Sequence, residues 1–162
     1  MITEKWGDIV AELFEYDAIV QGCNCFCIMG AGIAGQLAKK YPYVAIKDYA
    51  YSLKGIKKLG NIDEVIIEEQ NKTGLVINAY TQYNPGRDVS YAAIEICLRK
   101  INDKFKGKRI ALPRIGAGIA GGDWNTIRKM IITFLPNVNV TIIYWPGDKK
   151  EIEKYDFINK IK

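Results

Sequence analysis

The sequence contains no histidine. That absence excludes Ser-His-Asp and Cys-His catalysis and every histidine-ligated metal site. An acid or base must then be Asp, Glu, Lys, Tyr, Cys or a water molecule. Long apolar runs are also missing. The longest, RIALP and TIIYW, are strand-sized and too short to cross a membrane. The opening MITEKWGDIV has no basic stretch followed by an apolar core, so no secretory leader is read and a cytoplasmic location is expected. Cysteine is sparse, with four residues and no CxxC pair. Cys23, Cys25 and Cys27 alternate, and on an extended strand they would share one face. Side chains so placed do not form a tetrahedral zinc site, so packed thiols are expected, with no metal and no cofactor. No linker or low-complexity tract divides the chain, and residues 1–162 are read as a single domain.

What is present is ordinary for a globular protein: 162 residues, 49% apolar and 25% charged. The net charge of +5 favours a polyanionic partner only mildly, because much of it lies in solvated runs such as LKGIKKLG. Apolar, β-rich segments alternate with helical ones. Strands are predicted over residues 18–24, 61–70, 73–80, 108–114 and 139–145. Helices are predicted after residue 31, over 43–54, 89–105 and 123–136, and at the terminus over 148–162. In the clearest of them Tyr91, Ile94, Leu98, Ile101 and Phe105 follow a 3.6-residue period. Asp123 suits an N-cap. Such alternation implies an α/β fold with a mixed, mostly parallel sheet covered on both faces.

One hexapeptide, GAGIAG, occurs at residues 30–35 and again at 116–121. Each copy follows a predicted strand and precedes a predicted helix, where ligands bind in open α/β sheets. Gly and Ala remove side chains, so backbone amides can approach an anion beside a helix N-terminus. Two such loops could close over a pyrophosphate. The structural alternative is tight turns and close packing. Neither copy is a P-loop or a dinucleotide fingerprint with an acidic ribose anchor.

The stretches WGDIVAELFEYDAIVQGCNC, CIMGAGIAGQLAKKYP, VINAYTQYN and LPRIGAGIAGGDW together resemble a macrodomain, the ADP-ribose-binding module, and cover most of the chain in the family's order. GCNC, MGAGIA and PRIGAGIAGGDW resemble the branch containing ADP-ribose-1″-phosphate phosphatases and the terminal ADP-ribose glycohydrolase. The resemblance implies a three-layer α/β/α fold and an ADP-ribose-shaped cleft. It implies that Asp8 accepts from the adenine amino group and that Ile9 offers its backbone amide. It also implies that Asn24 faces the distal ribose. Gly30, Ala31, Gly32 and Ile33 would form the first phosphate loop. Gly116, Ala117, Gly118, Ile119 and Ala120 would form the second, and Tyr144 and Trp145 would flank the adenine. Turn-capping by Asp8, an Asx-turn at Asn24 and core packing of Tyr144 are the corresponding structural alternatives.

The chain departs from the family's catalytic patterns. Ala34 and Ala120 stand where related hydrolases carry acidic residues, and NAYTQYN lacks their lysine. The leading expectation is a phosphatase removing the terminal phosphate of ADP-ribose-1″-phosphate. Asn24 would orient the ribose, Asp123 would activate water, and Cys27 is an alternative nucleophile. The rivals are a non-catalytic ADP-ribose reader, a hydrolase of another ADP-ribosyl bond on protein or nucleic acid, and a basic nucleic-acid-binding module. A monomer with no membrane partner is expected.

Overall fold

The computed structural model describes residues 2–161. Six strands form one sheet: β1 (Ile2–Trp6), β2 (Ala18–Cys23), β3 (Ile62–Glu69), β4 (Lys72–Tyr80), β5 (Arg109–Leu112) and β6 (Asn139–Tyr144). Their spatial order is β1-β6-β5-β2-β4-β3. Among the described residues, the β3–β4 pair is antiparallel and the other strand pairs of the sheet are parallel. Helices α1 (Gly32–Lys40), α2 (Tyr43–Ala50), α3 (Tyr91–Lys104), α4 (Trp124–Phe134) and the single turn α5 (Lys149–Ile152) complete the chain. None is long and apolar enough to cross a membrane.

The layers follow from strand alternation. On β2, Ala18 and Val20 face a core shared with α3 and α4, whereas Ile19 faces a second core with Leu37 of α1 and Val44 of α2. A strand buried on both faces is largely apolar, which is why β2 reads as an apolar run interrupted only at Gln21. Helix α3 begins where Ser90 accepts a hydrogen bond from the Ala93 amide at 3.1 Å. Of the predicted stripe, Ile94, Leu98, Ile101 and Phe105 are buried and Tyr91 is exposed, while Cys97 joins the buried face. The expected three-layer α/β fold is what forms.

Three local expectations change. Strand β1 was not anticipated: its ITEKW is short and polar in the middle, as suits an edge strand, and it pairs in parallel with β6. The predicted terminal helix 148–162 breaks into α5 and a 3₁₀ turn at Asp156–Lys160. Ile152 and Phe157 fall on opposite sides of any continuous helix, and both pack on the same core, so the chain must turn between them. The extended run that would put the three thiols on one face does not form: β2 ends at Cys23, and Cys27 takes a left-handed φ of 59°. Cys23 and Cys25 are nonetheless buried in one cluster with Tyr80.

Candidate functional site

A cleft of about 720 Å³ lies across the carboxyl ends of β2, β5 and β6. That volume suits a ligand of nucleotide size. Strand order sets its direction. Asp8, Ile9 and Trp145 line the end nearest β1 and β6, while Cys23, Asn24, Gln82 and Asp48 line the end nearest β2 and β4.

Both hexapeptides line the middle, but they do not share a conformation. The first copy runs into α1, whose first residue is Gly32 at φ 59°. The second is a turn whose Gly116 and Gly121 have φ of 72° and 80°, and α4 starts only at Trp124. Helix-terminus charge therefore acts through the first copy alone. Ala31 sits at the N-cap of α1 with no side-chain oxygen to accept a hydrogen bond. Among the described residues, none accepts from the amides of Gly32, Ile33 and Ala34, or from those of Gly118, Ile119 and Ala120. These two sets of free donors border one cleft, as two anionic groups of a ligand require. A Cβ added at Gly30 or Gly118 would meet no protein atom within 4 Å, so these glycines keep ligand space open. At Gly116 a Cβ would lie 3.0 Å from Ile94 and 3.2 Å from Ile127, so that glycine serves packing. Gly30, Ala31, Gly32, Ile33, Gly116, Gly118, Ile119 and Ala120 line the cleft, whereas Ala117 is buried behind the loop.

At the β6 end, Asp8 makes the turn cap of its structural alternative. Its Oδ1 caps the turn by accepting from the amides of Val10 (3.0 Å) and Ala11 (3.3 Å), and its Oδ2 accepts from no described residue. The neighbouring Ile9 amide likewise has no acceptor among the described residues. Tyr144 is 1% exposed and forms floor rather than flank. Its hydroxyl donates to Glu4 Oε1 at 2.9 Å and accepts from Trp124 Nε1 at 3.1 Å, and Arg128 clasps the same carboxylate. Burial, then Glu4, raises its pKa well above the usual phenol value. Trp145, 47% exposed, stands at the mouth, and a Cβ on Gly147 would lie 2.3 Å from its Nε1.

The expected catalytic residues fare differently. Asn24 lines the cleft, but its side chain holds the first loop: Oδ1 accepts from the amides of Phe26 (2.9 Å) and Ile28 (3.4 Å), and Nδ2 donates to the Ile28 carbonyl at 2.9 Å. It is an Asx-turn residue. Asp123 lies outside the cleft. Its Oδ2 caps α4, accepting from the Thr126 hydroxyl at 2.7 Å and the Thr126 amide at 2.9 Å, and these bonds hold its carboxyl below the usual range. Cys27 also lies off the cleft wall, its sulfur 3.2 Å from Lys58 Nζ. Neither Asp123 nor Cys27 is among the residues that line the cleft, in contrast to Asn24.

Several lining residues were not among the candidate site residues. Gln21 and Thr81 are 1% exposed, yet Gln21 Oε1 and Thr81 Oγ1 lack partners. Arg114 is pinned by Glu151 at 2.8 Å while its Nε remains unpaired. Gln82 stands just past the end of β4 and binds the carbonyls of Asn84 (2.6 Å) and Gly86 (2.8 Å). PRIG, overlapping the second hexapeptide, points to Arg114, and VINAYTQYN contains Thr81 and Gln82. Gln21 sits in an apolar run that marks no site.

The family model described as Macro domain matches residues 20–131. A protein of Enterobacteria phage T4, described as an uncharacterized 17.5 kDa protein in the tk-vs intergenic region, is 36% identical over 146 residues. The match covers 86% of this chain and 93% of that one. The DNA ADP-ribosyl glycohydrolase of Mycobacterium tuberculosis is 26% identical over 159 residues, covering 94% of this chain. This chain spans 45% of that enzyme's length. The solved Thermosipho africanus DarTG in complex with ADP-ribose has a TM-score of 0.74 at 19% identity, over 88% of this chain and 41% of that one. That likeness extends to the fold.

Proposed function

The chain belongs to the Macro domain family, and from that premise we propose that its cleft binds ADP-ribose and that it hydrolyses an ADP-ribosyl bond. One observation carries the reading: two sets of acceptor-free amides, Gly32–Ala34 and Gly118–Ala120, border the same cleft between the Asp8–Ile9 end and the Asn24 end. A pyrophosphate between the loops would receive both sets. The adenine would lie against Trp145, with Asp8 Oδ2 accepting and the Ile9 amide donating. The distal ribose would then reach the β2–β4 end.

The mycobacterial relative, matched over 94% of this chain, supports ADP-ribosylated DNA as the first substrate class to test. ADP-ribose-1″-phosphate is the second. A reader without turnover is the rival reading, supported by the position of Asp123 and Cys27 outside the cleft and by the occupied side chain of Asn24. Calorimetric titration with ADP-ribose tests the binding: micromolar affinity is expected, and no heat at millimolar ligand sinks it. Turnover is tested by phosphorus NMR of ADP-ribose-1″-phosphate and by chromatography of an ADP-ribosylated oligonucleotide. Free orthophosphate makes the protein a phosphatase, released ADP-ribose makes it a glycohydrolase, and neither leaves a reader.

A further inference from the structure

A buried ion pair stands behind the β2–β4 end of the cleft. Lys58, fully buried, donates to Asp48 Oδ1 at 2.9 Å and to the Asp48 carbonyl at 3.1 Å. Tyr80 donates its hydroxyl to the same Oδ1 at 2.6 Å, and its ring lies 4.9 Å from Lys58 Nζ. Burial alone would lower the Lys58 pKa, but Asp48 and Cys27 outweigh it and hold the ammonium above its ordinary value. Burying two charges costs several kcal/mol, and such a pair is no evidence of stability by itself.

The asymmetry of the pair gives it a use. Both side-chain donors to Asp48 converge on Oδ1. Among the described residues none donates to Oδ2, yet Oδ2 is not among the buried unpaired atoms, which are Gln21 Oε1, Asn78 Nδ2, Thr81 Oγ1 and Arg114 Nε. Asp48 also forms part of the cleft wall, with its side chain 2% exposed, and Oδ2 is the oxygen left without a donor. Lys58 does not line it and neutralises the carboxylate from behind. The cleft thus changes character along its length. Its middle offers free amide donors, which suit phosphate. Its β2–β4 end offers an acceptor, Asp48 Oδ2. An ionised phosphate has no proton to donate and is repelled by a carboxylate, whereas a sugar hydroxyl donates.

We propose that Asp48 is the specificity-determining residue for the distal end of the ligand, accepting on Oδ2 a hydrogen bond from a hydroxyl of a neutral sugar. This rests on the binding mode proposed above. A site that pairs a buried acceptor with a substrate hydroxyl discriminates strongly against ligands lacking it. The residue is a selector and takes no part in bond cleavage.

The test is calorimetry of the full chain with ADP-ribose and with ADP, which lacks the distal sugar. The wild type is expected to bind ADP-ribose at least ten-fold more tightly. The double variant Asp48→Asn/Lys58→Met removes both charges together and leaves no lone buried ion. It is expected to keep its affinity for ADP within twofold and to lose the preference for ADP-ribose. A preserved ten-fold preference in that variant, or none in the wild type, overturns the proposal. Failure of the wild type to bind either ligand sinks the underlying binding mode instead. A measurement without any variant guards against misfolding: ADP-ribose analogues each lacking one distal hydroxyl are titrated into the wild type. One of them is expected to bind about ten-fold more weakly. Equal binding of all of them overturns the proposal.

Discussion

Lys58 Nζ lies 2.9 Å from Asp48 Oδ1, and the two side chains are only 1% and 2% exposed. Each is the other's only opposite charge within salt-bridge distance among the described residues. Lys58→Met alone is therefore expected to destabilise the protein by about 3–5 kcal/mol, because Asp48 is left as a lone buried charge. The double variant with Asp48→Asn should recover most of that loss. Urea unfolding of both proteins checks it. Equal midpoints for the single and double variants would contradict the coupling.

The glycines of the second loop separate by role. Gly118→Val is expected to leave the melting temperature unchanged and to weaken ADP-ribose binding at least ten-fold, since the new side chain meets only ligand space. Gly116→Val is expected to lower the melting temperature, because φ is 72° there and Ile94 lies 3.0 Å from any Cβ. Thermal melts paired with titrations distinguish the two.

Asp8→Asn keeps the Oδ1 acceptor that caps the turn at Val10 and Ala11 and places a donor where Oδ2 stood. Affinity for ADP-ribose and for AMP should fall by a similar factor, about ten-fold, with no change in melting temperature. A variant that binds as the wild type does would remove Asp8 from the adenine end.

If a substrate is turned over, Asp123→Asn and Cys27→Ser should each process it within twofold of the wild-type rate. Asparagine still caps α4, and neither parent side chain lines the cleft. A ten-fold loss in either variant would return that residue to the chemistry.

Stability should decline with alkali, beginning near pH 9. Burial raises the thiol pKa of Cys25 to about 11 and that of Cys97 to about 12, from an ordinary 9.0. The unfolded chain releases these protons first, so the stability they contribute is complete below pH 9 and is lost as pH rises through the folded values. Melting temperatures from pH 8 to 11 report the decline. Serine at both positions should reduce it, leaving the part that burial of Cys23 contributes in the same way.

Much of the architecture was legible because it depends on local pattern. Ile94, Leu98 and Ile101 announce the buried stripe of α3, and Asp123 announces the N-cap of α4. The doubled GAGIAG marked the cleft, since stretches free of side chains beyond strand ends leave amides bare. β1 was not legible, because an edge strand with Thr3, Glu4 and Lys5 at its centre carries little apolar signal. The break after α5 was hidden as well, because it depends on where Ile152 and Phe157 find their packing partners.

The sequence by itself determined most of the elements, much of the apolar core and the presence of two amide-rich loops, all of which follow from residue types at short spacing. Tertiary structure decided what those elements do together. It gave identical hexapeptides different backbones, because Gly32 opens a helix while Gly116 turns against Ile94 and Ile127. It left Asp123 and Cys27 off the cleft lining and brought Lys58 and Tyr80 onto Asp48 at the cleft's far end. Electrostatic partnership depends on distances between segments remote in the chain, and no local pattern encodes those distances.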